Sequence, residues 1–352
     1  MTASREELAA LRHALEGALG LGSAGDPPRL DDDWRKRWPE LAGMGVSAFC
    51  VPEERGGLGT EAAAAFVASR VLGAALHGSP YPAVAAAGFA LARWLEPGER
   101  RAVCEAIVSG ERLPTVAFLD PAARLTEAAD EVRIDGRARL VLGAAECDSF
   151  LVLPARSPTM LFVGARDGCA LANDHAFDVT RSSADVVFDG ARATPVSGGL
   201  PGRSCTERLF GLLLAGDALG GTERMLERTR VHALERHAFG RAIGGFQAVQ
   251  HRLVDHTVQL RGMLLLATEA ADSMTRGGDA AVRAVLLAEA AVSTGALHIL
   301  HDLLQLTGAI GFTWEHGLHL YERRAHLDAR LGRNPRAALR SLAAVEGWSL
   351  PI

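Results

Sequence analysis

The spacing of apolar residues changes twice along this chain, and those changes restrict the fold more than any single motif. From Ala3 to about Glu111 apolar residues recur at helical spacing, as in AAAAFVASRVLGAAL, interrupted by clusters such as GDPP, GGLG and GSPYP. Around Leu113 the period shortens. PTVAFL, EVRID, ARLVL, SFLVLPA, TMLFVGA and ADVVFD are short runs rich in Val, Leu and Phe, separated by Asp-Gly, Ser-Pro and Gly-Cys turn signals. From about Ser204 helical spacing returns in three long segments, RLFGLLLAGDALGGTERMLERTRVHALER, FQAVQHRLVDHTVQLRGMLLLATEAADSM and AAVRAVLLAEAAVSTGALHILHDLLQL. The pattern predicts a mostly α chain with a middle β domain. Its parts are an N-terminal helical domain over residues 1–112, a small antiparallel sheet domain over 113–198 and a C-terminal helical bundle over 199–352. Ser204 and Glu207 have the spacing of a capping box at the start of that bundle.

With 352 residues, 48% of them hydrophobic, the chain can bury a large core. A formal net charge of -5, with neither a Lys/Arg stripe nor interleaved aromatics, argues against nucleic acid or an anionic membrane as partner. The five cysteines are scattered without a C-x-x-C pair and are expected to be reduced thiols. The start, MTASREELAALRHALEGALG, lacks the regions of a secretory signal, and no uninterrupted apolar run reaches the ~18 residues of a membrane span. A cytoplasmic protein is expected. HILH and HGLH pair imidazoles three residues apart, but no acid or cysteine accompanies them in a ligand pattern, so no metal site is expected.

One junction stands out. In ERHAFGRAIGGFQAVQHRL a helix ends in Arg236, turns through Phe239 and Gly240, and resumes at Gln247. A guanidinium offers an anion a bidentate partner, and an aromatic ring offers a stacking face. Taken alone, Arg236 near a helix C-terminus equally complements the helix dipole, and Phe239 equally belongs to a core.

The domain order and four separated segments together resemble the acyl-CoA dehydrogenase family, flavoenzymes that oxidise the α,β bond of acyl-CoA thioesters. The segments are VPEERGGLGTEAAAAFVASRVLG, DVTRSSADVVFDGARA, RHAFGRAIGGFQAVQHRL and QLTGAIGFTWEHGLHLYERRA. The resemblance implies a C-terminal four-helix bundle, FAD as cofactor, an acyl-CoA substrate, an electron-transfer flavoprotein as electron acceptor, and a homo- or hetero-oligomer, dimer or tetramer. It also implies that Arg236 and Phe239 reach the FAD of a neighbouring subunit, with Ile243 and Gln247 close by, and that Gln305, Thr307 and Gly308 line its adenosine side. Gln305 by itself reads as readily as a solvated helix face.

The family's chemistry needs a carboxylate to remove the α-proton of the thioester. Counting forward from Gln305, the family's loop position for that glutamate falls on Gly332; counting back from Arg236, its helix position falls near Phe210. Neither is acidic. Two nearby acids remain as candidates: Glu207, which also reads as part of a cap, and Asp217, which also reads as a buried acid bonded to a neighbour. The family's "T-E-P..GSD" turn and "W-x-T" strand, which cover the flavin ring, are replaced by LDPAAR and LVLGA. GRARLVLGAAECDSFLVLPA is nevertheless similar to short members of the family encoded for steroid and branched-acid breakdown in actinobacteria, and the chain resembles them. Some of these assemble as mixed tetramers, in which one subunit supplies the base and flavin pocket and the other mainly the Arg/Phe junction.

Overall fold

The computed structural model describes residues 3–23, 26, 33–59, 62–128, 131–164, 166, 168–174, 177–333 and 335–348. The helices α1 (Arg5–Ala18), α2 (Trp38–Gly43), α3 (Ala62–Ala74), α4 (Tyr81–Trp94) and α5 (Pro97–Val108) come first. Seven strands follow: β1 (Pro114–Leu119), β2 (Arg124–Ala128), β3 (Glu131–Leu142), β4 (Ser149–Pro154), β5 (Met160–Val163), β6 (Cys169–Asp174) and β7 (Ser183–Val196). Then come α6 (Gly199–Glu235), the two-residue strands β8 (His237–Ala238) and β9 (Arg241–Ala242), and the helices α7 (Gln247–Arg276), α8 (Gly278–Thr307), α9 (Leu318–Leu331) and α10 (Pro335–Val345). Packing groups these elements into two units. One comprises residues 1–31, 66–77 and 211–352, the other residues 32–65 and 78–210.

In the second unit the strands lie in the order β2-β3-β1-β4-β5-β7-β6, and a further β3–β7 pairing closes the sheet on itself. Its interior is apolar, with Ile134, Val152, Val186 and the edge-to-face pair Phe150–Phe188 all buried. The sheet departs from the expected antiparallel pattern at one place: β1 and β4 are parallel, from Pro114↔Ser149 to Leu119↔Pro154. Both flank β3's direction oppositely. β4 reverses β3, as β1 does, and then takes β1's far side, so the two must run the same way. The expected turn at Asp135-Gly136 is also absent. That dipeptide lies inside β3 at a register shift, where a Cβ on Gly136 would stand 2.4 Å from Ala123 Cβ, and the Asp135 carboxylate instead accepts the Gly190 N–H at 2.8 Å.

In the first unit α3 and α6 cross with their backbones in contact. A Cβ on Gly73 would lie 2.1 Å from Asp217 O, and one on Gly220 1.9 Å from Arg70 O, so both sites are closed to any larger residue. The capping box expected at Ser204 and Glu207 does not form. Helix α6 starts five residues earlier, at Gly199 (φ +58°), with Pro201 in its first turn, which leaves both residues inside the helix. Helix α8 is long and apolar enough to cross a membrane, but its apolar positions, among them Val285, Val292, Ile299 and Leu303, are buried against α7, α9 and α10.

Candidate functional site

The junction after α6 is a small, exposed hairpin. His237 pairs with Ala242 and Ala238 with Arg241, and the two residues between, Phe239 (φ +52°) and Gly240 (φ +79°), both have positive φ, as a type I′ turn requires. Glycine adopts that conformation freely; phenylalanine does so under strain. Phe239 is 96% exposed at the tip. The base of the hairpin is firm: Phe246 meets Phe239 edge-on at 6.3 Å, Arg241 lies 4.0 Å over the Phe246 ring, and the Gln250 amide donates to Gly244 O. Ile243 is half-buried and its N–H donates to Arg236 O; Gln247 opens α7 and is exposed. The exposed Arg236 guanidinium has no hydrogen-bond or ion-pair partner among the described residues.

The Gln305 segment lies in the same unit. Gln305 is exposed on α8, whereas Thr307 is buried and spends its hydroxyl on Leu303 O. Gly308 ends the helix at φ +68°, ψ −148°, a region closed to side chains, although a Cβ there would meet nothing within 4 Å. The glycine is therefore required by backbone conformation, not by crowding within this chain. Beyond it Ile310, Phe312 and Trp314 are exposed. His316 tethers this segment to α6, its ring meeting that of His232 at 6.2 Å, one turn before Arg236, while Arg228 donates to Glu315 O at 3.3 Å. Burial, then Arg228, His232 and His319, push the His316 imidazole down to about 4.

Both acids suggested as the base are engaged in ion pairs. Asp217 is 4% exposed, and its carboxylate lies 3.9 Å from the guanidinium of Arg324, which is equally buried and donates to His77 O. Glu207 accepts from Arg203 at 2.8 Å, and Arg203 also donates to Pro154 O and Ser157 O, fixing the turn after β4. The sequence reading missed a third acid. Glu289 of α8 is buried and enters a cavity of about 20 Å³ that Gly211 and Gly332 also line. Its signal in the sequence was an acid in the otherwise apolar run VLLAEAAV.

Comparison with known proteins agrees with this architecture. Residues 210–333 match the C-terminal domain of acyl-CoA dehydrogenases. The acyl-CoA dehydrogenase IpdE2 of Mycobacterium tuberculosis is 30% identical over 349 residues, covering 99% of this chain and 97% of that one. The chain belongs to the acyl-CoA dehydrogenase family. Its members are flavin oxidoreductases. Among solved structures, the Tcur3481–Tcur3483 steroid ACAD superposes with a TM-score of 0.87 at 24% identity, covering 97% of this chain and 98% of that chain. The ChsE4–ChsE5 complex from Mycobacterium tuberculosis superposes at 0.86 and 24%, covering 99% of both.

Acyl-CoA dehydrogenases imply FAD, and two parts of this chain bear on it differently. The hairpin tip offers an exposed ring and an unengaged guanidinium, which suit adenine and pyrophosphate. The segments that stand where the resemblance puts the cover of the flavin ring, LDPAAR after β1 and LVLGA at the end of β3, carry neither a hydroxyl nor an indole.

Proposed function

We propose that this chain is the subunit of a hetero-oligomeric acyl-CoA dehydrogenase that completes the FAD site of a paralogous subunit, which itself carries the flavin ring pocket and the base. The assembly performs α,β-dehydrogenation of an acyl-CoA thioester and passes electrons to an electron-transfer flavoprotein. FAD, when bound, accepts the β-hydride as the α-proton leaves. In this chain Arg236 would bind the pyrophosphate and Phe239 stack on the adenine, with Ile243 and Gln247 close by, while Gln305, Thr307 and the Gly308 backbone would border the adenosine. The paired hairpin fixes the backbone around Arg236 and Phe239, so little backbone entropy is lost on binding.

The observation that carries this reading is the contrast between an exposed Phe239 ring with an unengaged Arg236 guanidinium and the segments LDPAAR and LVLGA, which lack the usual hydroxyl and indole. The engagement of Asp217 with Arg324 and of Glu207 with Arg203 supports it, since neither acid faces an open pocket as a free base. The two mixed complexes among the structural neighbours favour a partner of a different sequence. The visible absorption spectrum tests the proposal. The chain purified alone is expected to be colourless, and coexpression with a paralogue is expected to yield a yellow complex whose flavin bleaches with acyl-CoA. Stoichiometric flavin in the isolated chain would overturn the proposal.

A further inference from the structure

Gly332, where the family resemblance puts the loop base, lines a cavity between α6, α8 and α9 together with Gly211. Glu289 reaches into it from α8, and its carboxylate passes so close over Gly211 that a Cβ there would lie 1.8 Å from Oε1. A larger residue at 211 would require the Glu289 carboxylate to swing away. Arg333, the residue after Gly332, stands 3.4 Å from Glu289 Oε2, and Asp328 lines the cavity one turn back on α9. The Glu289 side chain is 5% exposed and that of Arg333 26%. What remains is about 20 Å³, room for roughly one water molecule and far below a thioester.

We propose that Glu289 and Arg333 seal this chain's own base site, so that the chain binds no acyl thioester by itself and contributes to the reaction only at its partner's pocket. This rests on the reading of the chain as a completing subunit. The Glu289 carboxylate is buried and would be stranded in a low-dielectric site without Arg333. Asp328 lines the same cavity, so a further carboxylate at position 332 would face two like charges.

The test is binding of 3-thiabutyryl-CoA, a thioester analogue, to the full-length chain by equilibrium dialysis, with deuterium uptake at the α-carbon of butyryl-CoA in D2O read by mass spectrometry. The wild-type chain is expected to bind none of the analogue and to catalyse no exchange. The double variant Glu289→Ala/Arg333→Ala, which empties the cavity, is expected to bind one analogue per chain at concentrations where wild type binds none. Glu289→Gln keeps the volume and is expected to stay shut. Binding of one analogue per wild-type chain overturns the proposal, as does a folded double variant with no gain. Exchange catalysed by wild type and lost in Glu289→Gln also overturns it, because Glu289 would then be a base. None of these results depends on FAD. The completing role can fail on its own, by flavin appearing in the isolated chain, whichever way Glu289 behaves.

Discussion

At the scale of single residues, the most informative position is Phe239. A phenylalanine at φ +52° costs on the order of 1 kcal/mol, and this one gains nothing from burial because it is 96% exposed. Strain kept for one edge-on contact with Phe246 points to a ligand. Phe239→Gly removes the strain but adds unfolded-state entropy of about 0.4–1 kcal/mol and loses the Phe246 contact, so the urea midpoint of the chain is expected to stay close to level. Flavin retention by the assembly is expected to fall by roughly tenfold or somewhat less, since a stacked ring contributes about 0.5–1.5 kcal/mol. A lower midpoint together with undiminished flavin would show that the ring serves the fold. The turn at Phe239-Gly240 and the helix end at Gly308 were legible in the sequence because their glycines mark local backbone conformation. Glu289 and Arg333 were not. They are 44 residues apart in number, and only the packing of α8 on α9 makes them partners.

At the scale of elements, the link between α6 and the segment after α8 rests on histidines held neutral. His316 is lowered to about 4, chiefly by burial; His232 and His319 are lowered as well, again with burial first. In the unfolded chain each titrates near its ordinary value of about 6.5. Below that value the unfolded state binds protons that the folded state refuses, so stability falls as pH drops from about 6.5 toward 4 and is unaffected by these groups above 7. Urea midpoints at pH 7.5, 5.5 and 4.5 measure this. His316→Phe, which keeps an apolar ring in place, is expected to flatten the decline, and an unchanged slope would mean that other groups govern it. The elements themselves were largely readable. The long helices α6, α7 and α8 and most strands show their period in the sequence. The misreadings are Asp135-Gly136 as a turn, Ser204 as a cap, and the overlooked β2 and β6, and they differ in cause. Gly136 is settled by Ala123 beneath it and β6 by its pairing to β7, whereas the start of α6 at Gly199 and the β2–β3 hairpin are local signals that went unread.

At the scale of the whole molecule, ligand linkage distinguishes a chain that owns a flavin from one that completes another's. A ligand that binds only the folded state stabilises it by RT ln(1 + [L]/Kd), about 2.7 kcal/mol at a hundredfold excess over Kd. Free FAD is therefore expected to leave the thermal midpoint of the isolated chain unchanged, because LDPAAR and LVLGA give a flavin ring no hydroxyl or indole and the hairpin alone grips only the adenine end. The same addition to the flavin-stripped assembly with the paralogue is expected to raise the midpoint by several degrees. Arg236→Ala in this chain is expected to shrink that rise while leaving the unliganded midpoint of the assembly in place, since the side chain is exposed and unengaged. Calorimetric scans of the chain, the assembly and the variant assembly, each with and without FAD, decide the matter. A midpoint that rises for the isolated chain would return the flavin to it, and an Arg236 variant with the full rise would remove the guanidinium from the cofactor's contacts.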